Sequence, residues 1–221
     1  MVRPRTSVGK IMANSPDRFE DYFSHLQKIS FLGRVYKRFF SSPLLYFCAR
    51  RFGNRIVEIG SGTGSGILGA FPKQVRGLEI NPYAVEYCKA AGLNVNLIKV
   101  DGAFPIADGE VDVCVLDNVL EHIEYPRRTL DECYRITKEN GGLVIAVPGF
   151  RGFESDADHK KFYDADALRL LDERWLLQSL FSIPFLFTSE KLSKSVNQYC
   201  LVATYKKMTF SSMNTSARIR G

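Results

Sequence analysis

Val57-Glu58-Ile59-Gly60-Ser61-Gly62-Thr63-Gly64 is the stretch that decides the fold of this 221-residue chain. A short apolar run ends in three glycines spaced by two, the pattern of a strand that breaks into a tight turn before a helix. Glycine lets the backbone enter left-handed conformations and lets a ligand approach the main chain closely. The helix that follows offers unpaired N–H groups at its start. In open parallel sheets, ligands sit beyond the carboxyl ends of the strands, where the first strand-to-helix turn lies.

Working outward, apolar runs alternate with helical stretches. The pattern predicts strands over Arg55–Ile59, Val75–Glu79, Asn94–Val100, Val111–Asp117 and Gly142–Val147, with helices over Ser65–Phe71, Pro82–Ala91 and Pro126–Thr137. One more helix is expected over Asp164–Leu177, then two closing strands over Leu180–Phe187 and Gln198–Tyr205 with no helix between them. This order predicts an α/β, doubly wound, mainly parallel seven-stranded sheet with an antiparallel C-terminal hairpin. Upstream, Phe19, Tyr22, Phe23, Leu26, Leu32, Val35, Tyr36 and Phe39 recur at helical spacing and read as lid helices. Ser42-Pro43 reads as a cap and first-turn proline that starts a helix through Arg51.

Length fits one α/β domain with additions: a helical extension over 1–53, the sheet domain over 54–207, and a Ser/Thr-rich stretch over 208–221 that reads as a disordered tail. Five scattered cysteines form none of the close pairs of a zinc site and suit a reducing, cytoplasmic setting. No run reaches the roughly 18 apolar residues of a membrane span. The net charge of +6 is an N-terminal property, since residues 1–55 carry 11 Lys+Arg against 3 Asp+Glu. That basic, aromatic segment suits lid packing and also peripheral contact with an anionic membrane. It shows no dedicated nucleic-acid module.

The dinucleotide fingerprint G-x-G-x-x-G fits only as Gly64-Ser65-Gly66-Ile67-Leu68-Gly69, four residues beyond Gly60 and running into the predicted helix; this match weakens the case against a dehydrogenase without removing it. The form in the expected place is E-x-G-x-G-x-G. With it, the chain from about Arg55 to Lys206 resembles the class I, Rossmann-like S-adenosylmethionine-dependent methyltransferases. Leu120-Glu121-His122-Ile123 followed by Gly141-Gly142 resembles their type 11 subfamily. The resemblance implies S-adenosylmethionine as cofactor. It places Glu58, Gly60, Ser61, Gly62 and Gly64 in the cofactor loop, Glu79 with Ile80 at the ribose, Asp101-Gly102 at the adenine, and Asp117-Asn118 beside the methionine moiety. Each acidic residue taken alone fits a turn or cap equally well. Lys and Arg are absent from 58–69, which suits a cationic sulfonium better than a pyrophosphate.

An alcohol acceptor must lose a proton, and the chain holds only His25, His122 and His159. Asp156-Ala157-Asp158-His159-Lys160-Lys161-Phe162-Tyr163 resembles the Asp-x-His-x-x-Phe/Tyr stretch of sugar- and lipopolysaccharide-modifying relatives, which makes His159 the preferred base or acceptor ligand. His122 is the second candidate, with a buttressing role as its alternative. No metal is expected, because Asn118 stands at the first position of the Glu-Glu-His set of metal-binding quinone-type relatives. The expected acceptor is a hydroxyl of a sugar, glycan or other small molecule, as in polysaccharide biosynthesis. The alternatives are an RNA methyltransferase, or a scaffold that keeps the cofactor fold and acts at a membrane or protein surface.

Overall fold

Side chains alternate across each strand, so the sequence of β1 (Ile56–Ile59) sends Val57 and Ile59 to one face of the sheet and Ile56 and Glu58 to the other. The computed structural model describes residues 16–27, 35–100 and 102–208. Its elements are α1 (Pro16–Gln27), a π-helical turn (Lys37–Ser41) running into α2 (Ser42–Arg50), β1, α3 (Ile67–Ala70), β2 (Val75–Glu79), α4 (Pro82–Ala90), β3 (Val95–Leu97) and β4 (Val111–Asp117). A 3-10 turn (Leu120–His122), α5 (Arg127–Ile136), β5 (Thr137–Pro148), α6 (Phe150–Glu154), α7 (Ala165–Arg169), β6 (Trp175–Ile183), α8 (Glu190–Ser195) and β7 (Cys200–Lys207) complete it. The seven strands lie in the order β3-β2-β1-β4-β5-β7-β6, parallel except for β7, which runs antiparallel to both its neighbours. The expected doubly wound sheet with an antiparallel C-terminal pair is what forms.

Both faces are covered. Cys114 and Leu116 of β4 and Leu143 and Ile145 of β5 pack under α5, which inserts Leu130, Cys133 and Ile136. Each aliphatic side chain fully buried this way contributes about 2 kcal/mol. On the opposite face Val113, Val115 and Val144 meet Leu45, Cys48 and Ala49 of α2, Ile67 and Leu68 of α3, and Val85 and Cys88 of α4. The helix Ser42–Arg50 therefore belongs to the core of the sheet. Among the described residues no helix is long and apolar enough to cross a membrane.

Several boundaries depart from the sequence expectation. Ser42-Pro43 does open the α-helix with a first-turn proline, but Ser42 is not its cap: Ser41 and Ser42 are both helical, and the Ser42 N–H donates to the Lys37 carbonyl five residues back, a wider turn just before the residue that lacks an N–H. The helix expected over Asp164–Leu177 spans only Ala165–Arg169. Asp164 caps it through the Ala167 N–H at 2.7 Å, but Trp175–Leu177 pairs with Tyr205–Lys207 as strand. A short helix, α8, separates the closing strands, capped by Ser189. The expectations at 1–15, 28–34, Asp101 and 209–221 lie outside the described residues.

Asp112 ties β4 to the entry of β1. Its carboxylate accepts the Asn54 and Arg55 N–H groups at 2.8 and 3.0 Å and the Arg55 guanidinium at 2.8 Å, with Lys138 at 2.9 Å. Burial pushes this carboxyl up, but the bonds from Arg55, Lys138 and Asn54 outweigh it and hold it well below the usual carboxylate range. A depressed folded pKa gives stability that is present above the unfolded value near 3.9 and lost as pH falls through the folded one. Asp112→Ala is therefore expected to cost about 2 kcal/mol at neutral pH, and thermal melts should show the gap to wild type narrowing below about pH 4. A gap that stays constant into acid would contradict this role.

Candidate functional site

The turn after β1 adopts the conformations its glycines permit: Gly60, Gly62 and Gly64 have φ of 69°, 53° and 72°. A Cβ on Gly60 would also stand 2.7 Å from Val119 Cγ2, so no side chain fits between this turn and the segment after β4. The Gly60 N–H donates to the Leu78 carbonyl at 2.7 Å, which fixes the turn to the end of β2. Glu58, on the face toward α3, accepts the Ile67 and Leu68 N–H groups at 3.2 and 2.8 Å. It thus caps α3 and delays the helix to Ile67, two residues after the expected start. Burial raises the Glu58 carboxyl to about 8.

Glu79 ends β2 with one oxygen on the Gly62 N–H at 2.7 Å and the other on the Ile80 and Asn81 N–H groups at 2.8 Å each. It lies against the glycine turn, with Ile80 exposed at the rim. Asn81 caps α4 through the Tyr83 and Ala84 N–H groups, which is what the Asn81-Pro82-Tyr83 sequence encodes. Gly102 follows β3 and donates its N–H to the Lys99 carbonyl at 3.0 Å. Asp101 is outside the described residues. Ser61 Oγ is buried with no hydrogen-bond partner among the described residues. Ser61 Oγ fills the space over Gly77 of β2, and the three left-handed glycines with the carboxylate at one edge fit a polar ligand that carries a diol.

Asp117 and Asn118 close the floor after β4. Asn118 takes a left-handed φ of 55° and donates from Nδ2 to Asp117 Oδ1 at 2.7 Å. Lys37, from the π-helical turn, reaches Asp117 Oδ2 at 3.2 Å and has its proton affinity raised by that partner against the effect of burial. Lys37 is a site residue the sequence did not reveal. No cation lies within the loop itself, and this one arrives from a segment whose helical spacing read only as packing.

The third part of the site joins two distant segments. The backbone carbonyl of Glu121 accepts the N–H groups of Lys160 and Lys161 at 2.7 and 3.1 Å, so the connection after β5 folds onto the 3-10 turn after β4. His159 is thereby almost buried. Its Nδ1 bonds the Phe153 carbonyl at 2.8 Å, Phe153 stacks on its ring, and Nε2 faces Glu121 Oε1 at 3.9 Å. His122 stands edge-on to it at 4.7 Å between ring centroids, its proton affinity lowered by burial and then by His159. The two candidate histidines thus belong to one cluster. The side chain of His25 lies outside the described ones.

Helix α1 spans the two halves of the site. The Phe19 carbonyl accepts from Asn81 Nδ2 at 2.7 Å, Phe23 packs on Tyr83 and Tyr87, and Tyr22 stands 6.3 Å from His122. Burial, then the charges of Glu79, Asp156, Asp158 and Glu121, raise the Tyr22 phenol above its ordinary range. Tyr22 therefore lies between the glycine-turn carboxylate and the histidine cluster.

Comparison with known proteins agrees with this geometry. Residues 57–145 match the type 11 family model described as "Methyltransferase domain". An uncharacterised methyltransferase of Mycobacterium sp. strain KMS is 30% identical over 115 residues, covering 48% of this chain and 45% of the relative. The chain thus spans about half the length of the curated relatives it matches. A chain from the complex between the Haloferax volcanii Trm112 methyltransferase activator and a methyltransferase superposes with a TM-score of 0.68 at 16% identity, covering 89% of this chain and 98% of that one. A Thermotoga maritima SAM-dependent methyltransferase superposes at 0.64 with 18% identity, covering 86% and 99%. Both structural likenesses speak to the fold. Glycine turn, β2 carboxylate and sheet order form the class I methyltransferase fold, and residues 57–145 at its centre match the methyltransferase domain of the type 11 family.

Proposed function

We propose that this protein methylates a hydroxyl of a sugar, glycan or other small molecule, with S-adenosylmethionine as donor. The observation that carries this reading is the cluster of His159, His122 and Glu121 beside the Asp117-Asn118 end of β4, under Tyr22. When bound, the sulfonium supplies an activated methyl: the acceptor oxygen forms the new bond to carbon as the carbon–sulfur electron pair passes to sulfur, and the oxygen's proton has to leave.

The residues of this chain divide that work. Glu79 and the glycine turn bind and orient the nucleoside, and the Asp117–Lys37 pair offers both charge signs to the amino-acid end. Tyr22 and the rest of α1 exclude water from above. His159 Nε2, with no hydrogen bond of its own among the described residues, is the group that takes the hydroxyl proton. Activation of this kind is worth roughly 10² to 10⁴ in rate.

Glu79→Ala is expected to weaken S-adenosylhomocysteine binding at least tenfold in calorimetry, since a diol in a partly buried site loses its acceptor. Unchanged affinity in a folded variant would refute the ribose assignment. Radiolabelled methyl from S-adenosylmethionine should enter saccharide or small hydroxylated acceptors, and His159→Ala should lower that transfer at least tenfold with cofactor affinity unchanged. Label appearing only in RNA, or transfer undiminished in the variant, would overturn the acceptor reading.

A further inference from the structure

Glu121 is 1% exposed, and neither of its carboxylate oxygens has a hydrogen-bond partner among the described residues. An unpaired carboxylate at that depth is costly, and a neighbour at 3.9 Å is beyond hydrogen-bond reach. His159 has Nδ1 fixed on the Phe153 carbonyl, which leaves Nε2 toward Glu121, and His122 packs edge-on against its ring. Ligating histidines in metal sites are held in this way, by a bond from the non-ligating nitrogen to a carbonyl or carboxylate. One ligand atom from each of Glu121, His122 and His159 lies within 4.8 Å of the other two. A cation about 2.1 Å from each would draw them to about 3.4 Å apart, a shift within the range of side-chain rotation.

We infer that Glu121, His122 and His159 form a binding site for a divalent transition-metal cation. Two imidazoles and one carboxylate suit Zn²⁺, Fe²⁺ or Mn²⁺ and leave coordination positions open. The expectation of no metal rested on Asn118 at one end of a short local motif. The structure brings the third ligand from His159, 37 residues beyond His122, through the Glu121 carbonyl bonds to Lys160 and Lys161. Asp156, with Oδ2 4.0 Å from His159 Nε2, adds negative charge at the rim. With the cation bound, His159 Nε2 serves as a ligand in place of a free base, and the cation holds the acceptor oxygen at an open position and eases loss of its proton; that role rests on the acceptor reading above. Its binding does not.

Full-length protein stripped with a chelator, then titrated with Co²⁺ in the absence of cofactor and acceptor, should bind one equivalent and show visible absorption bands of a nitrogen- and oxygen-ligated ion. Zn²⁺ should displace it. Glu121→Gln and His159→Ala should each weaken Co²⁺ binding at least tenfold, while Asp166→Asn on distant α7 should not. Circular dichroism identifies folded variants, and His159→Ala serves alone if Glu121→Gln does not fold. No stoichiometric Co²⁺ or Zn²⁺ binding to wild type, or binding undiminished in a folded ligand variant, overturns the site. Methyl transfer that persists in chelator with no cobalt bound would sink this inference and spare the proposed function. Cobalt binding without any methyl transfer would do the reverse.

Discussion

The rest of the site depends on one buried carboxylate, Glu58, and the two N–H groups it accepts from Ile67 and Leu68. Strand alternation points it at α3, and its bonds hold the start of that helix away from the strand, so that Gly60 to Gly66 must bridge the gap as turns. A Cβ at Gly66 would collide with the Glu58 carboxylate, so the residue before α3 has no room for a side chain. The glycine turn is then fixed at both ends, by Glu58 on one side and the Leu78 carbonyl on the other. A ligand meets a preformed cradle, which lowers the ordering cost of binding.

Around that cradle three pieces of chain far apart in sequence converge. Helix α1 comes from the N-terminus, the 3-10 turn follows β4, and the segment carrying His159 follows β5. The joins between them are backbone hydrogen bonds: Asn81 to the Phe19 carbonyl, and Lys160 and Lys161 to the Glu121 carbonyl. Backbone joins constrain position without fixing side-chain identity. This architecture can therefore hold the cofactor end constant while the residues facing the acceptor vary.

Most of the sheet was legible because its signals are local. Short apolar runs located β1, β2 and β4, and the carboxylates that end β2 and β4 fell where the sheet places its ligand. What was not legible depends on tertiary contact. Leu168, Leu171 and Trp175 carry a helical spacing, yet pairing with β7 turns Trp175 and its successors into strand. Lys37 looked like one more charge in a basic run, and only the packing of the π-helical turn brings it to Asp117. His122 and His159 were two separate candidates in sequence. Their meeting across Glu121 is a property of the fold, since no motif spans both segments.

The central claim is that the glycine turn and Glu79 bind a sulfonium nucleoside rather than a dinucleotide. Titrating the full-length chain calorimetrically with S-adenosylmethionine, and separately with NAD, tests it most directly. The account predicts one equivalent of S-adenosylmethionine bound and no heat of binding from NAD. Saturable NAD binding, with S-adenosylmethionine silent, would contradict it.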